Sequence, residues 1–147
     1  MEDNQQELMF KLSMFEQQVQ YLQKQIQAVE RGVIELSSLS LELEDLKGKK
    51  NSEIFANVGR GIFVKAKILD EDLLVDVGNK NFVKKNISET RETIEEQVKK
   101  LQTVKDELEE NLEKMGEEMN KVLMNAQKES EECHDENCEE HSHGHKK

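Results

Sequence analysis

The chain has 147 residues, one domain's worth by length, of which 36% are charged, 35% hydrophobic and only 4% aromatic. With no proline, no tryptophan and so little bulky apolar material, it cannot fill a compact globular core; the composition suits long amphipathic helices that bury one seam and solvate the rest. A net charge of −11 repels phosphates and argues against nucleic-acid binding, no run of about 18 apolar residues offers a membrane span, and the acidic start Met1-Glu2-Asp3-Asn4 is unlike a secretory signal.

The first segment, residues 1–50, carries Leu8, Leu12, Phe15, Val19, Leu22, Ile26, Val29, Val33, Leu36 and Leu43 at alternating spacings of four and three, with Ser40 as the one polar seam position. Five heptads of this regularity predict a coiled-coil helix from about residue 8 to 46. Gly48, within Lys47-Gly48-Lys49, suits a left-handed C-cap. Gly32 lies off the seam and reads as a tolerated defect, as does Gly116 further on.

From 51 to 86 the apolar period changes from seven to two. Ile54–Val58, the alternating row Ile62, Val64, Ala66, Ile68, then Leu73–Val77 and Phe82–Lys85 read as four strands. Gly59-Arg60-Gly61, Asp70-Glu71-Asp72 and Gly78-Asn79 punctuate them. That spacing predicts two β-hairpins. Four short strands leave open edges, and a lone hairpin is marginal in water. Ile62, Val64, Ala66, Ile68, Val75, Val77 and Val83 are therefore the expected oligomerisation residues, completing an inter-subunit sheet or barrel.

Residues 87–126 repeat the heptad pattern through Ile87, Ile94, Val98, Leu101, Leu108, Leu112, Met115, Met119, Val122 and Ala126, interrupted by Arg91 and Lys105. Asn86 followed by Glu89 marks the helix start as a capping box. Two matched helices, each about 58 Å long at 1.5 Å per residue, flank the strands, so the expected fold is mainly α with a small β part: a long antiparallel coiled-coil hairpin joined by two β-hairpins.

All six methionines lie within residues 1–14 or 115–124, segments that an antiparallel hairpin brings together. Met9, Phe10, Met14, Leu123 and Met124 fall off the seam, so the partner helix cannot satisfy them all. Methionine adapts to many apolar shapes. These five are candidates for an exposed apolar binding patch, with packing at a frayed helix end or contacts between copies as the alternatives; that the patch grips unfolded polypeptides is what the family resemblance described below implies.

The end of the chain, 127–147, reads as a disordered acidic tail. It holds every cysteine and histidine of the protein: Cys133, His134, Cys138, His141, His143 and His145, amid seven acidic residues. The same six side chains are candidate ligands for a transition metal such as zinc, nickel or copper, although their spacing is not that of a standard zinc finger. Confined to this polar stretch, the two cysteines cannot staple a core, which makes the cytoplasm the expected compartment. The helices and strands contain no His and no Cys, and Gly59-Arg60-Gly61 is too short to cradle a phosphate; an enzyme is not expected.

The hairpin segment resembles a known family. Val58-Gly59-Arg60-Gly61-Ile62-Phe63-Val64-Lys65-Ala66-Lys67-Ile68 is similar to the Val-Gly-x-Gly-x-Phe-Val/Ile-Lys-Ala core of prefoldin α-type subunits. Val75-Asp76-Val77-Gly78-Asn79-Lys80-Asn81-Phe82-Val83-Lys84-Lys85-Asn86 resembles the second Val-Gly…Lys-Lys-Asn element. Room for two hairpins favours the α type, and the resemblance runs from about residue 5 to 126. Asn57 stands where the family often has proline before the first Val-Gly, and Asn79-Lys80-Asn81 where glycines are common. The resemblance implies a hexamer of two α and four β subunits that holds unfolded proteins and passes them to a group II chaperonin without ATP and with no required cofactor. A filament-forming prefoldin is the alternative within the same family.

Overall fold

The computed structural model describes residues 2–136, with side chains through Glu132. Helix α1 (Glu2–Asp45) leads into strands β1 (Glu53–Gly59), β2 (Ile62–Lys67), β3 (Leu73–Asp76) and β4 (Phe82–Lys85), followed by helix α2 (Ile87–Glu136). The two long helices pack antiparallel and are joined by the two hairpins. The described residues form two compact units, one of residues 28–104 and one of residues 2–27 with 105–136.

In the unit of residues 28–104, the core is Leu43, Ile87 and Ile94, with Leu36, Leu46, Leu73 and Val98 packed against it. Leu73 comes from β3, so a hairpin residue adds a third element to the helix–helix seam. The polar interruptions of the two seams meet here. Arg91 donates through Nε to the Ser40 hydroxyl at 3.2 Å, and its Nη1 lies 3.3 Å from a Glu44 carboxylate oxygen. Gly32 faces the other helix: a Cβ there would sit 3.5 Å from Leu101.

The helix boundaries follow local chemistry. The N–H groups of Leu46 and Lys47 tighten the end of α1 with bonds to Leu43 and Glu44, and Gly48 follows at φ 75°, the left-handed C-cap the sequence predicts. Glu71 reaches back to accept the Gly48 N–H at 2.6 Å, tying the inter-hairpin connection to the helix end. At the start of α2, the Asn86 side chain accepts the Glu89 N–H at 2.7 Å and the Thr90 hydroxyl donates to the Asn86 carbonyl. That is an N-cap in the predicted place.

Both hairpins turn by one device. Asn57 and Asp76 each stand two residues before a glycine, and each side chain accepts that glycine's N–H, at 2.8 Å for Gly59 and 2.9 Å for Gly78. Two residues at positive φ follow: Arg60 and Gly61 at 51° and 77°, Asn79 and Lys80 at 50° and 59°. Paired positive φ values are what a type I′ turn needs to match strand twist, so Asn79 does keep the second turn. In the first hairpin the register shifts between Asn57 and Gly59, leaving Val58 as a bulge. β1 pairs only with β2 and β3 only with β4.

The helices run further than the heptads predict. α1 begins at Glu2, not near 8, and α2 continues to Glu136, not 126. Beyond Ala126 no apolar seam remains, but Gln127, Lys128, Glu129, Glu131 and Glu132 are good helix formers without glycine or proline. The first half of the expected disordered tail is therefore helix, and residues 137–147 lie outside the described residues.

Candidate functional site

Two apolar surfaces stand out, one in each unit. In the unit of residues 1–27 and 105–136, every seam residue of both helices is at best half-buried, because two helices alone shield each other from one side only. Gln18, Tyr21 and Leu22 of α1 share a groove with Asn111, Lys114, Met115 and Glu118 of α2. Carrying this antiparallel register along α1 brings Met9 and Phe10 level with the segment around Leu123 and Met124. Met9 is 69% exposed, Phe10 66% and Met124 64%, with Met14 and Leu123 less so. The five candidate gripping residues are thus all exposed and lie in one unit, while Met115 and Met119 take half-buried seam positions. Lys11 pairs with Glu7 at 2.8 Å and, by that hydrogen bond and its charge, holds the Glu7 carboxyl below the usual carboxylate range.

The second surface is on the hairpins. In β1–β2, Ile54 pairs with Ala66 and Ala56 with Val64, so the candidate row shares a face with β1's even-numbered residues. Ile54, Ala56 and Ala66 are half-buried; Ile62 and Val64 are exposed. Ile68 lies just past β2, half-buried, with its N–H and C=O bonded to Ser52 and Asn51. In β3–β4, Val75 pairs with Val83; Val75 is half-buried, Val83 exposed, and Val77 sits exposed just beyond β3. The opposite faces are apolar as well. Phe55, Phe63, Leu74 and Phe82 are all exposed. Alternation hid these four, because they share their faces with Glu53, Lys65, Asp76 and Lys84, and a mixed face reads as the solvent side. Their signal was aromatic content: three of the five phenylalanines are on these strands.

Of the candidate metal ligands, Cys133 and His134 fall within the last turns of α2; Cys138, His141, His143 and His145 lie outside the described residues. Among the described residues no group of three or more His, Cys, Asp or Glu is arranged to hold a metal, and no helix is long and apolar enough to cross a membrane.

Residues 15–132 match the prefoldin subunit family. The chain is 34% identical over 103 residues to prefoldin subunit alpha of Methanobrevibacter smithii, covering 69% of this chain and 70% of that one. It is 30% identical over 96 residues to prefoldin subunit alpha 1 of Methanocaldococcus jannaschii, covering 65% and 66%. Its fold is similar to the cryo-EM structure of filamentous PFD from Methanocaldococcus jannaschii, with a TM-score of 0.70 over 78% of this chain and 96% of that one, at 20% identity.

Proposed function

The chain belongs to the prefoldin family as an alpha subunit, a non-enzymatic chaperone component, and from that premise we propose that it is an ATP-independent holdase subunit capturing unfolded proteins at Met9, Phe10, Met14, Leu123 and Met124. The observation that carries this reading is the exposure of these five side chains outside the seam. Each such contact is weak alone. Several subunits presenting the same patch to one client raise the effective concentration, and avidity follows without new contacts. Release then needs only a tighter acceptor, for which a group II chaperonin is the reading's recipient, in the cytosol.

The open strand edges and the exposed Ile62, Val64, Val77 and Val83 support assembly through the hairpins, with β-type subunits in a hexamer of two α and four β. An open-ended filament is the second reading, favoured by the same unpaired edges. Mass measurement of the native complex, with and without a co-expressed β-type subunit, separates the two: a discrete hexamer is expected, and fibres made by this chain alone would replace it.

Capture is tested by changing Met9, Phe10, Leu123 and Met124 together to Ser in the assembled complex. Loss of aggregation suppression with assembly intact is expected; undiminished suppression would overturn the proposed site.

The six Cys and His residues of the chain end support an added transition-metal site, since thiolates and imidazoles are the ligands such ions prefer. Zinc or nickel added to the full chain should produce a thiolate absorption change that Cys133→Ser with Cys138→Ser abolishes. No spectral change would remove this reading.

A further inference from the structure

The sulfur atoms of this chain are unevenly distributed. Residues 28–104 contain no methionine and no cysteine, so the unit with the hairpins holds no sulfur at all. The five described methionines belong to the unit of residues 2–27 and 105–136, and their exposure divides them. Met9 is 69% exposed, Met124 64% and Met14 44%, whereas Met115 and Met119 are half-buried on the seam. Three of the five off-seam residues Met9, Phe10, Met14, Leu123 and Met124 are therefore thioethers open to solvent. Leucine matches methionine in helix propensity and in volume, so neither the helix nor the apolar surface requires sulfur at these positions. What sulfur adds is reactivity. A hydroperoxide converts a thioether into a sulfoxide, turning a flexible apolar side chain into a polar, chiral one.

We propose that Met9 and Met124, with Met14 after them, are sites of reversible sulfoxidation by hydrogen peroxide, and that this modification switches the apolar patch off. The assignment of the sites stands on exposure; the switching rests on the holdase reading above. In the step, a sulfur lone pair attacks one peroxide oxygen. The S–O bond forms as the O–O bond breaks, and the proton of the attacked oxygen passes to the departing hydroxide. Sulfur is oxidised by two electrons and the peroxide is reduced to water. The attack needs a sulfur that solvent can reach, which orders the sites as Met9 and Met124, then Met14, then the seam pair Met115 and Met119. Each new S–O group is a strong hydrogen-bond acceptor that holds water on the patch, so apolar contact there is weakened. The same dose leaves the sulfur-free core of Leu43, Ile87 and Ile94 and both hairpins chemically unchanged. Methionine sulfoxide reductases return the sulfoxide to the thioether, which makes the change a switch and not only damage.

The experiment treats the full chain, in the complex it forms, with graded hydrogen peroxide. Dithiothreitol then regenerates the Cys133 and Cys138 thiols from disulfide or sulfenic acid but leaves sulfoxides in place. Peptide mapping by mass reads the added oxygen at each methionine. Met9 and Met124 should oxidise about fivefold or more faster than Met115 and Met119. Suppression of client aggregation should fall in step with Met9 and Met124, recover on treatment with methionine sulfoxide reductase, and leave the native mass unchanged. Met9→Leu with Met14→Leu and Met124→Leu, compared with its own untreated suppression, should be indifferent to the same dose. Equal oxidation rates at all five methionines would overturn the sites. A loss that persists in the leucine variant, or that comes with dissociation of the complex, would put the sensitive group elsewhere and overturn the switch. Selective oxidation with suppression intact would also overturn it, and the fourfold serine variant described above then separates the two readings. If that variant loses suppression, capture stands and only the switch falls; if it too suppresses undiminished, both fall.

Discussion

The two units are built from the same pair of helices, yet they differ in what their apolar residues do. Between residues 28 and 104 the seam closes into a core, with Leu43, Ile87 and Ile94 below one-tenth exposure and Leu73 of β3 laid against them. In the unit of residues 1–27 and 105–136, no described residue reaches that burial, although the heptads are as regular. A third element makes the difference. Two helices cover each other along one stripe, and only a further apolar surface removes the remaining flank from water. The unit with the third element has buried seam residues; in the unit without it the seam stays half-exposed.

The sharpest way to break this comparison is a matched pair of truncations. Ile94→Ala should cost about 3 kcal/mol, within the range for a buried Ile, whereas Val122→Ala, half-buried in the other unit, should cost about 1 kcal/mol or less. Denaturant unfolding of the two variants measures both, and equal losses would dissolve the distinction. Next in size is Asn86→Ala, which removes the cap of α2 and should destabilise by about 1 kcal/mol in the same assay. Lys80→Gly should act in the opposite sense. Lys80 holds φ at 59°, where a side chain is disfavoured and glycine is not, so a gain of up to about 1 kcal/mol is expected. Gly116→Ala, in a helix interior with open space around the new methyl, should likewise gain about 0.5–1 kcal/mol, read as a rise in thermal midpoint.

The smallest effect concerns pH. Lys114 holds the Glu110 carboxyl below its ordinary value, by hydrogen bond and then by charge. The linked stability is present above the carboxylate's unfolded pKa and is lost as pH falls through the lowered folded value. Glu110 holds Lys114 up in turn, a contribution present below the ordinary lysine pKa and lost as pH rises through the raised one. Both groups are exposed, so Glu110→Gln should shift the thermal midpoint only slightly at neutral pH, and the shift should vanish in acid.

Much of this was legible in the chain because strict periods report burial directly. Every seam position from Leu8 to Leu43 is half-buried or buried, the four strands lie within a residue or two of their predicted spans, and Asn86 caps where it should. What escaped reading was relational. Ser40 and Arg91 are defects in their own seams, and only the antiparallel register reveals that each answers the other. The exposure of Phe55, Phe63, Leu74 and Phe82 was hidden because apolar and charged residues alternate along the strand faces. Helix beyond Ala126 was missed because a seam was required where intrinsic propensity was enough.

The contact of Arg91 with Ser40 and Glu44 has a consequence for how the helices find each other. A repeat of seven invites sliding by one unit, since the apolar stripe would still match. Here a slip in one direction would set the guanidinium against Lys47, and in the other against Val33, exchanging its partners for a like charge or for a hydrocarbon neighbour that offers no counter-charge. Neither shifted phase keeps the Arg91 contacts, so within the unit of residues 28–104 this polar pair favours the observed alignment over its heptad neighbours.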